Sequence, residues 1–104
     1  MEISPKDLKA RLDKHDPVVL LDVRDDWETK LARLENAIHI PTEEIELRAG
    51  ELDPNEETIV YCHHGVRSAA VASYLRQLGF ARVANLSGGL DEWARTVDRG
   101  MRRY

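Results

Sequence analysis

Two short, uninterrupted apolar runs, each followed by a segment of helical character, place the strongest constraint on how this chain folds. The first run, VVLLDV, covers Val18 to Val23, and the second, TIVYC, covers Thr58 to Cys62. A strand that is apolar at nearly every position is covered on both faces, as in a parallel sheet flanked by helices. Because strands and helices alternate along the whole chain, the sequence predicts an α/β fold with an open parallel sheet and helices on both faces.

The ends of several helices are predicted from capping residues. Ser4 followed by Pro5 indicates the start of a first helix. Thr42 is predicted to cap a helix that runs to about Gly50, and Leu78-Gly79 is predicted to end the helix that follows Cys62.

A few conspicuous residues have simple structural interpretations. Trp27 and Trp93 are interpreted as anchors of the core. His39, between two isoleucines in a predicted strand, is interpreted as an interior histidine with satisfied hydrogen bonds. The segment Ser87-Gly88-Gly89 indicates a turn that starts the last helix and faces the edge of the loop after Cys62.

Composition narrows the class of protein. With 104 residues, 42% of them apolar, the chain is predicted to form one domain over residues 1–104, for which a monomer is the default. A net charge of -4 argues against binding to nucleic acid or to anionic membranes. The opening segment lacks the apolar region of a secretory signal, and the single cysteine excludes an internal disulfide, so a cytoplasmic location is expected.

The only cysteine, Cys62, stands where a predicted strand gives way to a helix, in the segment CHHGVRS. The backbone N–H groups of such a turn converge on one point, and the helix dipole adds partial positive charge there. A cysteine in this cradle has its thiolate form favoured, which makes it nucleophilic near neutral pH. An inert core cysteine is the alternative, but the neighbouring Gly65 and Arg67 favour Cys62 as a catalytic nucleophile.

The segment around Cys62 contains no acidic residue, although the chain has 19 of them. From Thr58 to Leu90 the formal charge is +3, from three arginines, against -7 for the remainder. This contrast predicts a site that attracts anions. The candidate substrate-binding residues are those of the loop together with an arginine at the end of an earlier strand: His63, His64, Gly65, Val66, Arg67, Ser68 and Arg24.

Some of these residues have two interpretations. Arg67 is expected either to bind an anionic substrate or to close the loop through its guanidinium group, with a simple ion pair at the helix start as the structural alternative. Ser68 is expected to cap the following helix in preference to donating toward the sulfur. His63 and His64 are expected to point outward. Arg24 is expected to form a structural ion pair, with a contribution to the positive field as the alternative.

Four segments resemble the successive landmarks of a rhodanese-like sulfurtransferase domain, and they occur in the family's order. They are LLDVRDDWE, AIHIP, IVYCHHGVRSAAVASYLRQLGF and NLSGGLDEWA. The resemblance extends from about Val18 to the end of the chain, and Ile3-Ser4 matches the family's short first strand. It implies an open, five-stranded parallel sheet. One departure is that Asn36 stands where members often carry a glycine, and because Asn tolerates a left-handed backbone, the turn is expected to persist.

The resemblance also implies a ping-pong sulfur transfer of the thiosulfate:cyanide type. Cys62 takes a sulfane sulfur from a small anionic donor, thiosulfate or another, and passes it as a persulfide to a thiophilic acceptor. The N–H groups from His63 to Ser68 are expected to bind the terminal sulfur, and no metal or organic cofactor is implied. Because the chain has no second cysteine, the acceptor is external, and a sulfur-carrier protein is one candidate. The tail, Arg99 to Tyr104, is expected to pack on the domain, with contact to an acceptor as the alternative.

Three other functions compete with this interpretation. A cysteine-dependent phosphatase or arsenate reductase uses a similar cradle, but the phosphatase signature has five residues between Cys and Arg, whereas four separate Cys62 from Arg67. A non-catalytic binding module of the same fold usually lacks the cysteine. Zinc binding by Cys62, His63 and His64 is the weakest alternative, because three consecutive side chains point in divergent directions.

Overall fold

The computed structural model describes all 104 residues and alternates five strands with five helices. In chain order the elements are β1 (Glu2–Ile3), α1 (Pro5–Asp13), β2 (Val19–Asp22), α2 (Asp26–Leu31), β3 (Ile38–His39), α3 (Ile45–Arg48), β4 (Thr58–Tyr61), α4 (Val66–Gln77), β5 (Val83–Leu86) and α5 (Gly89–Thr96). All strands pair in parallel in the order β1-β5-β4-β2-β3, which confirms the predicted fold class. No helix combines the length and the apolar character needed to cross a lipid bilayer.

The sheet separates two hydrophobic cores, which explains why its central strands are apolar at most positions. Leu21 of β2 and Val60 of β4 lie in one core, packed against α3 and α4. Their neighbours Leu20 and Ile59 point to the opposite face and pack against α1 and α5. Because consecutive residues of a strand face opposite sides, a strand buried on both sides has no position for solvated side chains.

The two central strands bring their carboxyl ends to the same edge of the sheet. From β2 the chain passes to β3 on one side, whereas β4 lies on the other side, so the strand order reverses between β2 and β4. Asp22 and Tyr61, the last residues of these strands, are register partners. In open α/β sheets, ligands bind in the crevice at the carboxyl ends of the strands, at the point where the strand order reverses. The segments that follow Asp22 and Tyr61 therefore form the expected location of a site.

Local signals correctly predicted the start of one helix, the end of another and one turn. The hydroxyl of Ser4 accepts a hydrogen bond from the backbone N–H of Asp7 at 3.1 Å and caps α1. Helix α4 ends at Gln77, next to the predicted stop at Leu78-Gly79. Asn36 adopts a left-handed backbone with φ of 65°, as expected for a residue that replaces glycine in this turn.

Three structural predictions were wrong or only partly correct. The segment from Thr42 to Gly50 is not one helix: α3 is a single turn between two 3-10 turns, Thr42–Glu44 and Ala49–Glu51, and Pro41 rather than Thr42 precedes the first of them. Trp93 is buried as predicted, but Trp27 is 58% exposed and anchors no core. It packs edge-on against the ring of Tyr104, with 5.7 Å between centroids. Strand β1 ends at Ile3, because Ser4 is used as the cap of α1.

Candidate active site

Cys62 lies directly after β4, and its sulfur accepts hydrogen bonds from two backbone N–H groups and lies beside a hydroxyl group. The N–H of Gly65 lies 3.2 Å from Sγ, the N–H of Ser68 3.4 Å, and the hydroxyl of Ser68 3.3 Å. The loop closes this tightly because Gly65 has a left-handed backbone with φ of 97°, which side chains disfavour. The two N–H donors that converge on this sulfur stabilise its anionic form.

Further N–H groups of the same loop remain unpaired. The backbone N–H groups of His63, His64, Val66 and Arg67 donate to no acceptor in the protein. Those of Val66 and Arg67 belong to the first turn of α4, where no intrahelical partner exists. The loop therefore offers donors and the positive end of a helix dipole for an additional anionic atom near Cys62.

The first turn of α5 holds the loop in place through two backbone hydrogen bonds. Leu90 and Asp91 donate their N–H groups to the carbonyl oxygens of Cys62 and His63, at 2.8 and 3.0 Å. Only glycine fits at position 89, because a Cβ there would lie 2.6 Å from the carbonyl oxygen of Cys62, and φ is 64°. The prediction that Ser87-Gly88-Gly89 faces the edge of the loop is confirmed.

Ser68 does not cap α4, contrary to expectation. The N-cap position is occupied by Gly65, and Ser68 is the third residue of the helix, fully buried beside the sulfur. Besides its contact with Cys62, its hydroxyl donates to Oδ1 of Asn85 at 2.5 Å. The Nδ2 of Asn85 donates to the carbonyl oxygen of Gly65 at 3.1 Å, so Asn85 supports both ends of the cradle.

Asn85 was not among the candidates from the sequence, although a signal for it existed. It is the only polar residue in β5, a strand whose four residues are all buried. A buried amide needs hydrogen-bond partners, so a lone asparagine in such a strand indicates a polar structure nearby. That structure is the loop around Cys62.

Arg67 forms a two-bond ion pair with Glu28 of α2. The distances are 2.7 Å from Nη1 to Oε2 and 2.9 Å from Nη2 to Oε1, and Glu28 is buried. Glu28 also accepts hydrogen bonds from the backbone of Asp25 and from the hydroxyl of Tyr104. Burial alone would raise the pKa of Glu28, but the hydrogen bonds from Arg67, Asp25 and Tyr104 outweigh it and lower the pKa to about 2.

This ion pair corrects the expectation that the site contains no acidic side chain. The segment from Thr58 to Leu90 lacks acids only in sequence, because the fold brings Glu28 from α2 onto Arg67. The guanidinium of Arg67 donates to Glu28, so the geometry favours the ion pair at the helix start over binding of an anion or closure of the loop.

Arg24 lies below the surface and has no exposed side-chain area. Its guanidinium donates to both carboxylate oxygens of Asp22, at 2.9 and 2.7 Å, and to the carbonyl oxygen of Ala32 at 2.6 Å. This arrangement favours the structural ion pair over contact with a substrate. The backbone carbonyl of Arg24 is in turn bound by the ring of His39 at 2.6 Å, so His39 has a partner, as predicted.

The two histidines of the loop differ from each other. His64 points outward as predicted, with 64% of its side chain exposed. His63 turns inward, contrary to prediction, because its ring packs on Tyr104 with 4.0 Å between centroids. Its Nδ1 is buried without a hydrogen-bond partner. Burial lowers the pKa of His63, and the neighbouring His64 lowers it further, so the neutral ring is favoured.

The end of the chain packs on the site, as expected for the tail. The hydroxyl of Tyr104 receives a hydrogen bond from Arg24 and donates one to Glu28, both at 2.8 Å. Arg103 pairs with Asp91, whose backbone N–H binds the carbonyl of His63. The tail is therefore part of the network that positions the loop. No three His, Cys, Asp or Glu side chains lie together in an arrangement suited to a metal ion.

Comparisons with known proteins agree with one another. The family model of the rhodanese-like domain matches residues 4–96. A sulfurtransferase of Allochromatium vinosum is 35% identical, over 90% of this chain and 88% of that protein. A Bacillus subtilis protein provisionally named sulfur carrier protein YrkF is 37% identical over 88% of this chain, which spans only 50% of that protein. Among solved structures, a rhodanese-like domain protein from Staphylococcus aureus is 33% identical, with a TM-score of 0.84. The match covers 100% of this chain and 99% of that chain.

Proposed function

The chain belongs to the rhodanese-like domain family, and from this premise we propose that Cys62 carries sulfur as a persulfide between a donor and an external acceptor. Relatives named sulfurtransferase support sulfur transfer as the general chemistry. The observation that carries the proposal is the loop around Cys62: two backbone N–H groups donate to Sγ, and four further N–H groups have no acceptor in the protein.

In the first half-reaction, the thiolate of Cys62 attacks the outer sulfur of the donor. A new bond forms between Sγ and that sulfur, and the donor's own S–S bond breaks. The leaving group, sulfite from thiosulfate or a thiolate from a persulfide, departs with the electron pair. The thiolate is the reacting form of a cysteine, so no general base takes part in the step that forms the new bond.

The loop residues then stabilise the loaded state. The terminal sulfur of the Cys62 persulfide is anionic when deprotonated and needs hydrogen-bond donors. The unpaired N–H groups of His63, His64, Val66 and Arg67 supply them, because they project from the loop and from the first turn of α4. These donors are fixed in advance by Gly65 and by the contacts from α5, so little reorganisation is needed.

In the second half-reaction, an acceptor attacks the terminal sulfur and regenerates the Cys62 thiolate. The chain contains a single cysteine, so no internal thiol competes for this sulfur. We expect cyanide or a small thiol to serve as the acceptor in vitro. For the physiological acceptor we favour a protein of a sulfur relay, because one relative bears the name of a sulfur carrier.

The direct test is the intact mass of the protein after incubation with a donor and removal of the excess. We expect a gain of one sulfur atom that a reductant removes, and that cyanide discharges as thiocyanate. The Cys62→Ala variant is the matched control and should gain nothing. If neither thiosulfate nor a persulfide donor loads the native protein, sulfur transfer is wrong for this chain, and a binding role of the fold takes its place.

A further inference from the structure

The arginines that are connected to the loop are all paired with carboxylates. The three pairs are Arg67–Glu28 at 2.7 Å, Arg24–Asp22 at 2.7 Å and Arg103–Asp91 at 3.1 Å. A fourth carboxylate, that of Glu2, reaches the underside of the loop through the Nδ2 of Asn85, at 3.1 Å. Four carboxylates therefore accompany three guanidinium groups in this network.

His63 is the histidine of the loop that turns toward the site, and it does not change this balance. The pKa of His63 is lowered by burial and by His64, which favours the neutral ring. The ring of His64 lies on the outside, with Nδ1 3.9 Å from the carboxylate of Asp91. The attraction that remains for a negative charge comes from the backbone N–H groups of the loop, which are partial charges suited to one anionic atom.

On the basis of the sulfur transfer proposed above, we infer that the preferred donors are thiol persulfides rather than thiosulfate, and that Glu28 determines this preference. Thiosulfate carries two negative charges, and it must approach a thiolate in a site where Glu28 already neutralises Arg67. A persulfide brings at most one charge to the reacting sulfur. The electrostatic cost of approach is therefore larger for thiosulfate, since repulsion grows with the product of the charges.

Both donors undergo the same bond changes, so charge is the property that separates them. With thiosulfate, the bond between the two sulfurs breaks and sulfite leaves with two negative charges. With a persulfide RS–SH, the RS–S bond breaks, the proton stays on the transferred sulfur, and the thiolate RS⁻ leaves. In each case Cys62 ends as a persulfide with no external oxidant or reductant.

The matched variants Glu28→Gln and Tyr104→Phe test the role of Glu28. The first removes the negative charge but keeps a side chain that can bind Arg67. The second removes one hydrogen bond to Glu28 and leaves its charge in place. We expect Glu28→Gln to raise the ratio of kcat/KM for thiosulfate to kcat/KM for cysteine persulfide at least tenfold, and Tyr104→Phe to change it less than twofold. An active Glu28→Gln protein with an unchanged ratio would overturn the inference.

The native protein provides a second test that does not depend on folding of a variant. The rate constant for loading by thiosulfate is compared with that for cysteine persulfide as sodium chloride rises from low to physiological concentration. If the site repels dianions, screening accelerates the thiosulfate reaction relative to the persulfide reaction. A relative slowing would mean that the site attracts dianions and that the inference is wrong. Loading by neither donor would instead reject the proposed function itself, so the two failures are distinguishable.

Discussion

Two strand–turn–helix units of the molecule, β4 with α4 and β5 with α5, follow the same plan and use their helix N-termini differently. Each helix is preceded by a glycine with a left-handed backbone, Gly65 with φ of 97° and Gly88 with φ of 73°. At the start of α4 the N–H groups either face the sulfur of Cys62 or have no acceptor in the protein. At the start of α5, the N–H groups of Leu90 and Asp91 donate to backbone carbonyl oxygens of the loop around Cys62.

The difference shows that a helix N-terminus becomes a reactive site only if nothing else in the fold consumes its donors. The second unit uses two of its N–H groups on the carbonyls of Cys62 and His63, and in doing so it fixes the loop that carries the sulfur. The first unit keeps its donors available because the fold supplies no carbonyl or carboxylate opposite them. One unit therefore supports the loop, and the other is positioned for chemistry.

The largest expected effect comes from removal of the sulfur that distinguishes the first unit. Cys62→Ser should lower the rate of sulfur transfer at least a thousandfold, because the hydroxyl is a weak nucleophile at neutral pH and forms no persulfide. Stability should change by only about 1 kcal/mol, since the two side chains are similar in size. Steady-state transfer to cyanide and urea unfolding measure the two quantities. Residual transfer close to that of the native protein would place the chemistry outside this loop.

A second prediction tests whether the second unit supports the first. Gly89→Ala should destabilise the fold by about 3 kcal/mol or more, because the new Cβ is forced onto the loop backbone and φ is positive. The matched control is Gly79→Ala, where φ is 100° but no atom lies within 4 Å, so only backbone strain of about 1 kcal/mol is expected. Chemical unfolding gives both values. Equal losses in the two variants would mean that the contact with the loop is unimportant.

A third prediction concerns the ion pair that ties the first unit to α2. The pKa of Glu28 is lowered to about 2 in the folded protein, whereas an unfolded glutamate titrates near 4.3. A lowered pKa stabilises the folded protein at every pH above the pKa of the unfolded state. This stabilisation is lost as the pH falls from about 4.3 toward 2, and the loss amounts to about 3 kcal/mol. Glu28→Gln should lack this part of the pH dependence. Urea unfolding of both proteins at pH 7, 4 and 2.5 tests this, and parallel curves would contradict it.

The smallest effect is expected from the removal of a single hydroxyl group. Ser68 in the first unit and Ser87 in the second allow the same change to be compared. Ser68→Ala removes the hydroxyl that lies 3.3 Å from Sγ and links it to Asn85, so alkylation of Cys62 by iodoacetamide at pH 7 should slow by about fivefold, as expected for the loss of one hydrogen bond beside the sulfur. Ser87→Ala makes the same change in the second unit, where the hydroxyl binds Glu2, and should leave the rate within twofold. A rate for Ser68→Ala equal to that for Ser87→Ala would show that the hydroxyl does not act on the sulfur.

The architecture could be predicted from the sequence because its signals are local. Apolar runs such as Val18 to Val23 determine which strands are covered on both faces, and Ser4 acts on a neighbour three residues away. The segment from Thr42 to Gly50 was predicted less well. Its apolar spacing suggested one helix, but Leu47 is 89% exposed and the helical turn at α3 is short. Short segments follow their packing rather than their propensity.

By itself, the sequence determined the parallel sheet, the position of Cys62 at the end of a buried strand and the glycine turn that surrounds the sulfur with N–H groups. Each of these depends on residues a few positions apart. Only the tertiary structure decided that Glu28 neutralises Arg67, that Asn85 supports Ser68, and that Tyr104 reaches the site. These contacts join residues that are 39, 17 and 76 or more positions apart. They depend on which helices and strands pack together, and no local pattern encodes that packing.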